Sequence, residues 1–174
     1  MVERGQKAPD FALPGIERAE PAVYQLFEAI ENDDRVVLWF FPVTFLPTAT
    51  AELCAIRDAG WHDVDGLQVW AISMDSIYAG AAYADEYDLP MAVLGDGASA
   101  AEYYDVRYEE WEGHYGVPKR AAFLVGTDWN VDARWVTDDA FAPSTPSPVV
   151  EIGDVLAESI DVDVPEVSYD AYVR

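Results

Sequence analysis

Cysteine is nearly absent from this chain. Cys54 is the single cysteine among 174 residues. One cysteine excludes a disulfide within the chain and any cysteine-rich metal site. Histidine is scarce as well, and His62 and His114 lie far apart in the sequence. We therefore predict structural or surface roles for both histidines and no bound metal.

Positively charged residues are also few. Ten lysines and arginines stand against 33 aspartates and glutamates, which gives a formal net charge of −23. Such a charge repels nucleic acid and anionic membranes, so neither is an expected partner. Acidic residues occur in every segment, and this distribution indicates adaptation to concentrated salt, where repulsion between carboxylates is screened. Hydrophobic residues make up 51% of the chain, which argues against disorder.

Long apolar runs and a targeting signal are also missing. No apolar run approaches the roughly 18 residues that a membrane span needs. The opening sequence MVERGQKAPD has no basic-plus-apolar signal pattern. These absences predict a cytoplasmic protein. A length of 174 residues predicts one domain, residues 1–174, with a single core.

Strand and helix patterns alternate along the chain, which predicts an α/β fold with a largely parallel sheet. Apolar runs predict strands at 36–41, 67–73, 91–94, 120–125 and 131–136, the last two as a hairpin. Helical patterns predict helices at 50–59, 76–86, 99–104 and 149–160, with a short turn or helix at 24–30. The acidic tail 161–174 carries scattered aromatic residues and is expected to be loose or to pack on a partner subunit.

Two of these helices begin with capping signals. The helix at 76–86 is opened by the capping signal Asp75-Ser76. Ser99 is followed three residues later by Glu102, which is the spacing of a capping box. We therefore predict Ser99 as the N-cap of the helix that ends near Tyr104.

A strand, a proline and a helix follow one another in residues 36–58, VVLWFFPVTFLPTATAELCAIRD. This stretch resembles the active-site segment of peroxiredoxins, in which a strand precedes Pro-x-x-x-Thr-x-x-Cys. On that pattern Pro42 is the proline, Leu46 occupies the threonine position, and Ala49 occupies the position of the peroxide-attacking cysteine. The resemblance implies the scaffold of the family without its nucleophile, because a methyl group cannot attack an O–O bond.

Four further stretches fall in the same family order. They are APDFAL at 8–13, ELCAIRD at 52–58, AISMDS at 71–76 and PKRAAFLV at 118–125. Together with the strand that ends at Pro42 they cover about residues 3–160. They imply a thioredoxin-like α/β fold with a central mixed β-sheet flanked by helices. Cys54 lies five residues after Ala49, where the bacterioferritin-comigratory branch often keeps its resolving cysteine, so the chain is similar to that branch.

The resemblance also implies roles for other residues. In the family, a helix dipole and an arginine favour a thiolate at the first turn of a helix, and the arginine helps to align the peroxide. Arg120 matches that arginine, Pro42 matches the proline that shields the pocket, and Glu52 matches the acidic residue that orients the arginine. A pocket for a hydroperoxide-sized ligand, no cofactor and a homodimer are expected. An active protein would use a thioredoxin-like reductant.

Three interpretations stay open. The first is a natural pseudo-enzyme that keeps the fold for binding or regulation, and the second is a variant in which a cysteine was replaced by Ala49. The third is a weak single-cysteine thiol peroxidase that uses Cys54. Five residues along a helix rotate a side chain by about 500°, so Cys54 would point about 140° away from Ala49. Cys54 is otherwise expected to be a small buried thiol that packs the helix.

Overall fold

A β-sheet with helices on both faces forms the centre of the molecule. The computed structural model describes residues 1–97 and 99–172. Its strands are β1 (Ala12–Glu17), β2 (Glu20–Gln25), β3 (Arg35–Phe40), β4 (Leu67–Ser73), β5 (Ala92–Gly95), β6 (Glu110–Trp111), β7 (His114–Tyr115), β8 (Arg120–Val125) and β9 (Val131–Thr137). Its α-helices are α1 (Leu26–Glu31), α2 (Pro47–Asp58), α3 (Ile77–Glu86), α4 (Ala100–Tyr103) and α5 (Pro148–Ala157), and short 3-10 helices lie at Trp61–Asp63 and Tyr169–Ala171.

Seven strands pair in the order β2-β1-β5-β4-β3-β8-β9, and β6 and β7 form a separate small hairpin. Strands β3, β4 and β5 are parallel, whereas β8 joins β3 and β1 joins β5 in antiparallel pairs. The sheet is therefore mixed, as the resemblance implies. The expectation of a largely parallel sheet was wrong, because both ends of the parallel part are extended by antiparallel hairpins. Among the described helices, none is both long enough and apolar enough to cross a bilayer.

Strand β3 lies in the middle of the sheet and contributes side chains to the hydrophobic clusters on both of its faces. Val37 and Trp39 belong to the cluster that includes side chains of α2, α3 and α5. Val36, Leu38 and Phe40 belong to the opposite cluster, with side chains of α1 and α4. This alternation follows from the two-residue period of a strand, and the double burial explains why the strand is an uninterrupted apolar run. The predicted buried central strand is confirmed.

Several predicted elements coincide closely with the structure. Strand β4 has the predicted bounds, and β8 and β9 form the predicted hairpin. Ser76 is the N-cap of α3, and its hydroxyl accepts a hydrogen bond from the Ala79 N–H at 3.3 Å. The last helix, α5, was predicted at 149–160. It begins one residue earlier, after the N-cap Ser147, and it ends three residues earlier.

Helix α2 begins earlier than the sequence pattern suggested. The predicted helix 50–59 is in fact Pro47–Asp58, with Leu46 at the N-cap position. Proline suits the first position of a helix because its missing N–H would have no partner there. Ala49 therefore lies inside the first turn of α2, and Cys54 lies two turns from the helix start.

The hairpin of β1 and β2 was not predicted, and the predicted helix at 24–30 overlaps it. Tyr24 and Gln25 end β2, and only the residues that follow are helical. The connecting turn places Arg18 and Ala19 at φ values of 48° and 67°. Arginine and alanine rarely adopt this left-handed conformation. The turn was not predicted because it lacks the Gly or Asn that usually signals such a turn.

Ser99 is the N-cap residue of α4, as predicted, but the predicted capping box is wrong. Ser99 makes no side-chain cap bond in the structure. Instead the buried carboxylate of Asp96 accepts hydrogen bonds from the N–H groups of Ser99, Ala100 and Ala101, at 2.8, 3.2 and 2.7 Å. Asp96 satisfies the free amides at the start of α4 from one turn upstream.

The acidic tail was expected to be loose or to pack on a partner subunit, and residues 161–172 instead pack on the same chain. We call residues 161–172 the strap. The indole Nε1 of Trp61 donates to the Asp163 carbonyl oxygen at 2.7 Å. Val164 lies so close to Gly153 of α5 that a Cβ there would come within 2.8 Å of its methyl group. The 3-10 helix Tyr169–Ala171 then contacts α2. Val173 and Arg174, the end of the predicted tail, lie outside the described residues.

Candidate active site

The first turn of α2 carries the two positions that the resemblance singles out. Leu46 is the N-cap residue, and Ala49 is completely buried three residues later. Pro42, also buried, follows the end of β3, and its carbonyl oxygen accepts the Met74 N–H at 3.3 Å. The turn is placed at the helix end where free amides and the helix dipole favour a negative charge. The side chain of Ala49 offers no atom that could carry one.

A buried ion pair lies one turn further along the same face. Residues three apart on a helix share a face, so Glu52 follows Ala49 toward the sheet. Its carboxylate is bonded to the guanidinium of Arg120, and both side chains are fully buried. Trp39 Nε1 also donates to this carboxylate, at 3.2 Å. Burial raises the pKa of the Glu52 carboxyl, and the charge and hydrogen bonds of Arg120 oppose that rise.

Arg120 is held by groups of the protein itself. One Nη donates to Glu52, and the other donates to the carbonyl oxygens of Asp139 and Ala142 at 3.2 and 2.9 Å. The ring of Trp135 lies 5.2 Å from the guanidinium carbon. Within the part of the chain that the structure describes, the Nε of Arg120 has no hydrogen-bond partner. The structure thus brings Arg120 and Glu52 together, as the resemblance implies.

The loop that receives Arg120 is also tied to α2. The hydroxyl of Thr48 donates to the Ala140 carbonyl oxygen at 2.6 Å. Asp139 accepts the N–H groups of Phe141 and Ala142 at 2.9 and 3.0 Å, which fixes the turn of this loop. Arg120 and the first turn of α2 are therefore fastened to the same short segment.

The neighbouring threonines do not replace the hydroxyl that Leu46 lacks. Each hydroxyl is bonded elsewhere: Thr44 to Asp75 at 2.9 Å, Thr48 to Ala140, and Thr50 to Tyr83 at 2.7 Å and to the Leu46 carbonyl at 2.8 Å. The site therefore has an arginine and a helix start, but no hydroxyl at Leu46 and no thiol at Ala49, the two positions to which the resemblance assigns these groups.

Cys54 lies on α2 and is 2% exposed, which agrees with the expected buried thiol. Tyr172 packs against the buried cluster that contains Cys54, and the neighbouring thiol and burial raise the pKa of its phenol. Tyr172 also packs edge to face with Tyr87, with 6.0 Å between the ring centroids. The thiol is thus covered by a residue of the strap and directed away from the Arg120 side of the helix.

Tyr169 is a residue of the site that the sequence did not reveal. Its hydroxyl donates to Glu52 at 2.8 Å, across 117 positions of sequence. Burial and the nearby Glu52 carboxylate raise the pKa of Tyr169, so its proton stays in place for this bond. A tyrosine in an acidic tail has no local pattern that predicts such a contact.

Among residues 1–97 and 99–172, no three His, Cys, Asp or Glu side chains form a group that could hold a metal ion. His62 lies beside Asp63, with 3.2 Å between Nε2 and the carboxylate. His114 is exposed in β7.

Comparisons with known proteins give one consistent result. The sequence model of the AhpC/TSA family matches residues 4–134. A bcp-type peroxiredoxin from Coxiella burnetii (strain RSA 493 / Nine Mile phase I) is 32% identical over 143 residues, which cover 77% of this chain and 88% of that protein. Peroxiredoxin Bcp of Bacillus subtilis (strain 168) is 25% identical over 140 residues, 77% of this chain and 85% of that protein.

A solved structure gives the corresponding result for the fold. The crystal structure of peroxidoxin BcpB from Mycobacterium tuberculosis superposes with a TM-score of 0.70 at 23% identity. The match covers 90% of this chain and 96% of the other. At this level of identity the likeness concerns the fold.

Proposed function

Since the chain belongs to the AhpC/TSA family of peroxiredoxins, in the Bcp-like branch, we propose that it is a silenced member in which Ala49 occupies the position of the peroxide-attacking cysteine. The reaction of the family is the reduction of hydroperoxides by way of a cysteine sulfenic acid, which a thiol then restores. A chain with a methyl group at that position does not turn over hydroperoxide by this route.

One observation carries the proposal. Ala49 is fully buried in the first turn of α2, on the face that continues to the Glu52–Arg120 pair. This is the position where a helix start and a guanidinium would lower the pKa of a thiol. These surroundings support the assignment of position 49 to the missing nucleophile.

We propose that Pro42, Glu52 and Arg120 keep a pocket in which a hydroperoxide-sized ligand could bind. Arg120 is fixed by Glu52 and by the carbonyl oxygens of the 139–142 loop, so it needs no thiolate to stay in place. Leu46 lines the helix start with an apolar side chain instead of a hydroxyl. Binding would therefore be weaker than in a site with the complete donor set.

The alternative is that Cys54 acts as the thiol of a weak peroxidase. Two features of its surroundings disfavour this function. Cys54 is 2% exposed, and it lies two turns into α2, beyond most of the effect of the helix dipole. A peroxide would reach it only after the strap moved.

The decisive experiment restores the missing groups one at a time. Peroxide consumption is followed by stopped flow in concentrated salt with a thiol donor, for the chain as it is, for Ala49→Cys and for Ala49→Cys with Leu46→Thr. We expect no turnover from the first and turnover from the revertants, at least about 100-fold above the control, the range contributed by aligned catalytic groups.

The matched control is Ala55→Cys, which adds a thiol to the same helix away from its first turn. Revertants that are no faster than this control would contradict the assignment of position 49. Turnover by the unmodified chain that is lost in Cys54→Ser would instead establish the alternative function.

Further proposals concern the setting of the molecule. We propose one domain over residues 1–174, an association into homodimers, a cytoplasmic location and, for the restored enzyme, a thioredoxin-like reductant. We also propose adaptation to concentrated salt, which the net charge of −23 supports.

A further inference from the structure

The strap covers the one thiol of the chain. Tyr172 packs against the buried cluster that contains Cys54, and its ring lies edge to face with that of Tyr87. Cys54 is 2% exposed with the strap in place. A dissolved reagent therefore reaches the sulfur only when Tyr172 moves away, and the reactivity of the thiol reports the position of the strap.

Short-range contacts hold the strap. Trp61 donates to the carbonyl oxygen of Asp163, and Tyr169 donates to Glu52. Val164 packs on the bare backbone of Gly153. These contacts are hydrogen bonds and apolar packing, and they depend little on dissolved salt.

Long-range charge opposes the same docking. The strap has no lysine or arginine in residues 161–172, and it carries four carboxylates on a chain of net charge −23: Asp161, Asp163, Glu166 and Asp170. Within the described residues, none of these four carboxylates forms an ion pair. The strap is therefore a net acidic segment that lies on an acidic body, and the repulsion between the two weakens as salt screens it.

We propose that residues 161–172 are a salt-gated strap, docked over Cys54 at high ionic strength and released at low ionic strength, so that the salt concentration controls access to the thiol. The short-range contacts determine where the strap docks. The screened repulsion determines the fraction of molecules in which it is docked. The proposal concerns access to Cys54 alone. It holds whether or not Ala49 occupies the position of a lost nucleophile.

The test measures the rate at which iodoacetamide alkylates the full chain. This reagent is uncharged, so salt does not change its own attraction to the protein. Mass spectrometry counts one modified site, because Cys54 is the single cysteine. The rate is divided by that of N-acetylcysteinamide, an uncharged thiol, in the same solution. From roughly 0.1 M to roughly 1 M NaCl the Debye length falls from about 10 Å to about 3 Å, and we expect alkylation to slow by about tenfold. A rate ratio that is independent of salt would overturn the proposal.

A pair of variants with equal charge separates the strap from the rest of the molecule. Asp163→Asn with Asp170→Asn removes two exposed charges from the strap, and Glu86→Gln with Glu109→Gln removes two exposed charges elsewhere. We expect the first variant to be protected already at low salt, with a flattened salt dependence, and the second to follow the unmodified chain. Equal behaviour of the two would assign the effect to the net charge of the whole molecule and overturn the proposal.

The anchoring bond gives an independent test at high salt. Tyr169→Phe removes only the hydroxyl that reaches Glu52 and should speed alkylation about tenfold, whereas Tyr78→Phe, at a residue that is 80% exposed, should leave it unchanged. Tryptophan fluorescence gives the global unfolding rate of each protein. Alkylation of Tyr169→Phe at the rate of the unmodified chain, or at its own unfolding rate, would contradict a strap that opens separately.

Discussion

At the scale of single residues, the carboxylate of Glu52 joins three distant parts of the chain. It accepts hydrogen bonds from Trp39 in β3, from Arg120 in β8 and from Tyr169 in the strap. A buried charge is costly unless it is paired and hydrogen-bonded, and here both conditions are met. The intact pair is therefore expected to add little net stability, whereas removal of one partner is expected to destabilise the protein strongly.

We predict that Glu52→Ala lowers the free energy of unfolding by about 3 to 5 kcal/mol, because it leaves the Arg120 guanidinium buried without its counter-charge. Urea denaturation in concentrated salt measures the loss. The control replaces both partners, Glu52→Met with Arg120→Met, and should be less destabilised than the single variant. A double variant as unstable as the single one would mean that lost packing, rather than the unpaired charge, causes the effect.

The predictability of the site differs from one residue to the next. The pairing of Glu52 with Arg120 was expected, because both positions fall in stretches that resemble a known family. Tyr169 was not, because a contact across 117 positions depends on the fold and leaves no local pattern. The hydroxyl that Leu46 lacks could be sought among nearby threonines, but only the structure places those hydroxyls on other partners.

At the scale of elements, α4 shows how a cap can come from outside the helix. Asp96 offers its carboxylate to three consecutive amides, and Ser99, the cap that the sequence suggested, makes no cap bond. We predict that Asp96→Ala costs about 1 to 3 kcal/mol of unfolding free energy, since buried amides lose a charged acceptor. Ser99→Ala should change the same quantity by less than about 0.5 kcal/mol.

Urea denaturation of both variants in one buffer checks this difference. A larger loss in Ser99→Ala than in Asp96→Ala would restore the capping box.

Elements with strong internal patterns, such as β4 and the β8–β9 hairpin, were predicted well from sequence. The β1–β2 hairpin was missed, because Pro14 and Pro21 weaken the strand pattern and Arg18 and Ala19 form the turn without glycine or asparagine.

At the scale of the whole molecule, self-repulsion dominates the response to solvent. With a net charge of −23, we predict that the free energy of unfolding rises by about 1 to 3 kcal/mol between roughly 0.1 M and 1 M NaCl, the size of a few screened contacts between unit charges. Urea denaturation at each salt concentration measures it. KCl at equal concentration is the control, because equal screening should give an equal rise. A stability that is flat or falls with salt would remove the argument for salt adaptation.

Gly153 makes room on α5 for Val164 of the strap. Val164 can pack against α5 at this point because Gly153 has no side chain. Alanine is favoured over glycine in a helix by about 1 kcal/mol, so substitution there would strengthen the helix while blocking the seat of the strap. The absence of one methyl group from α5 therefore lets residues 161–172 dock, and Gly153→Ala would exchange that docking for a more stable helix.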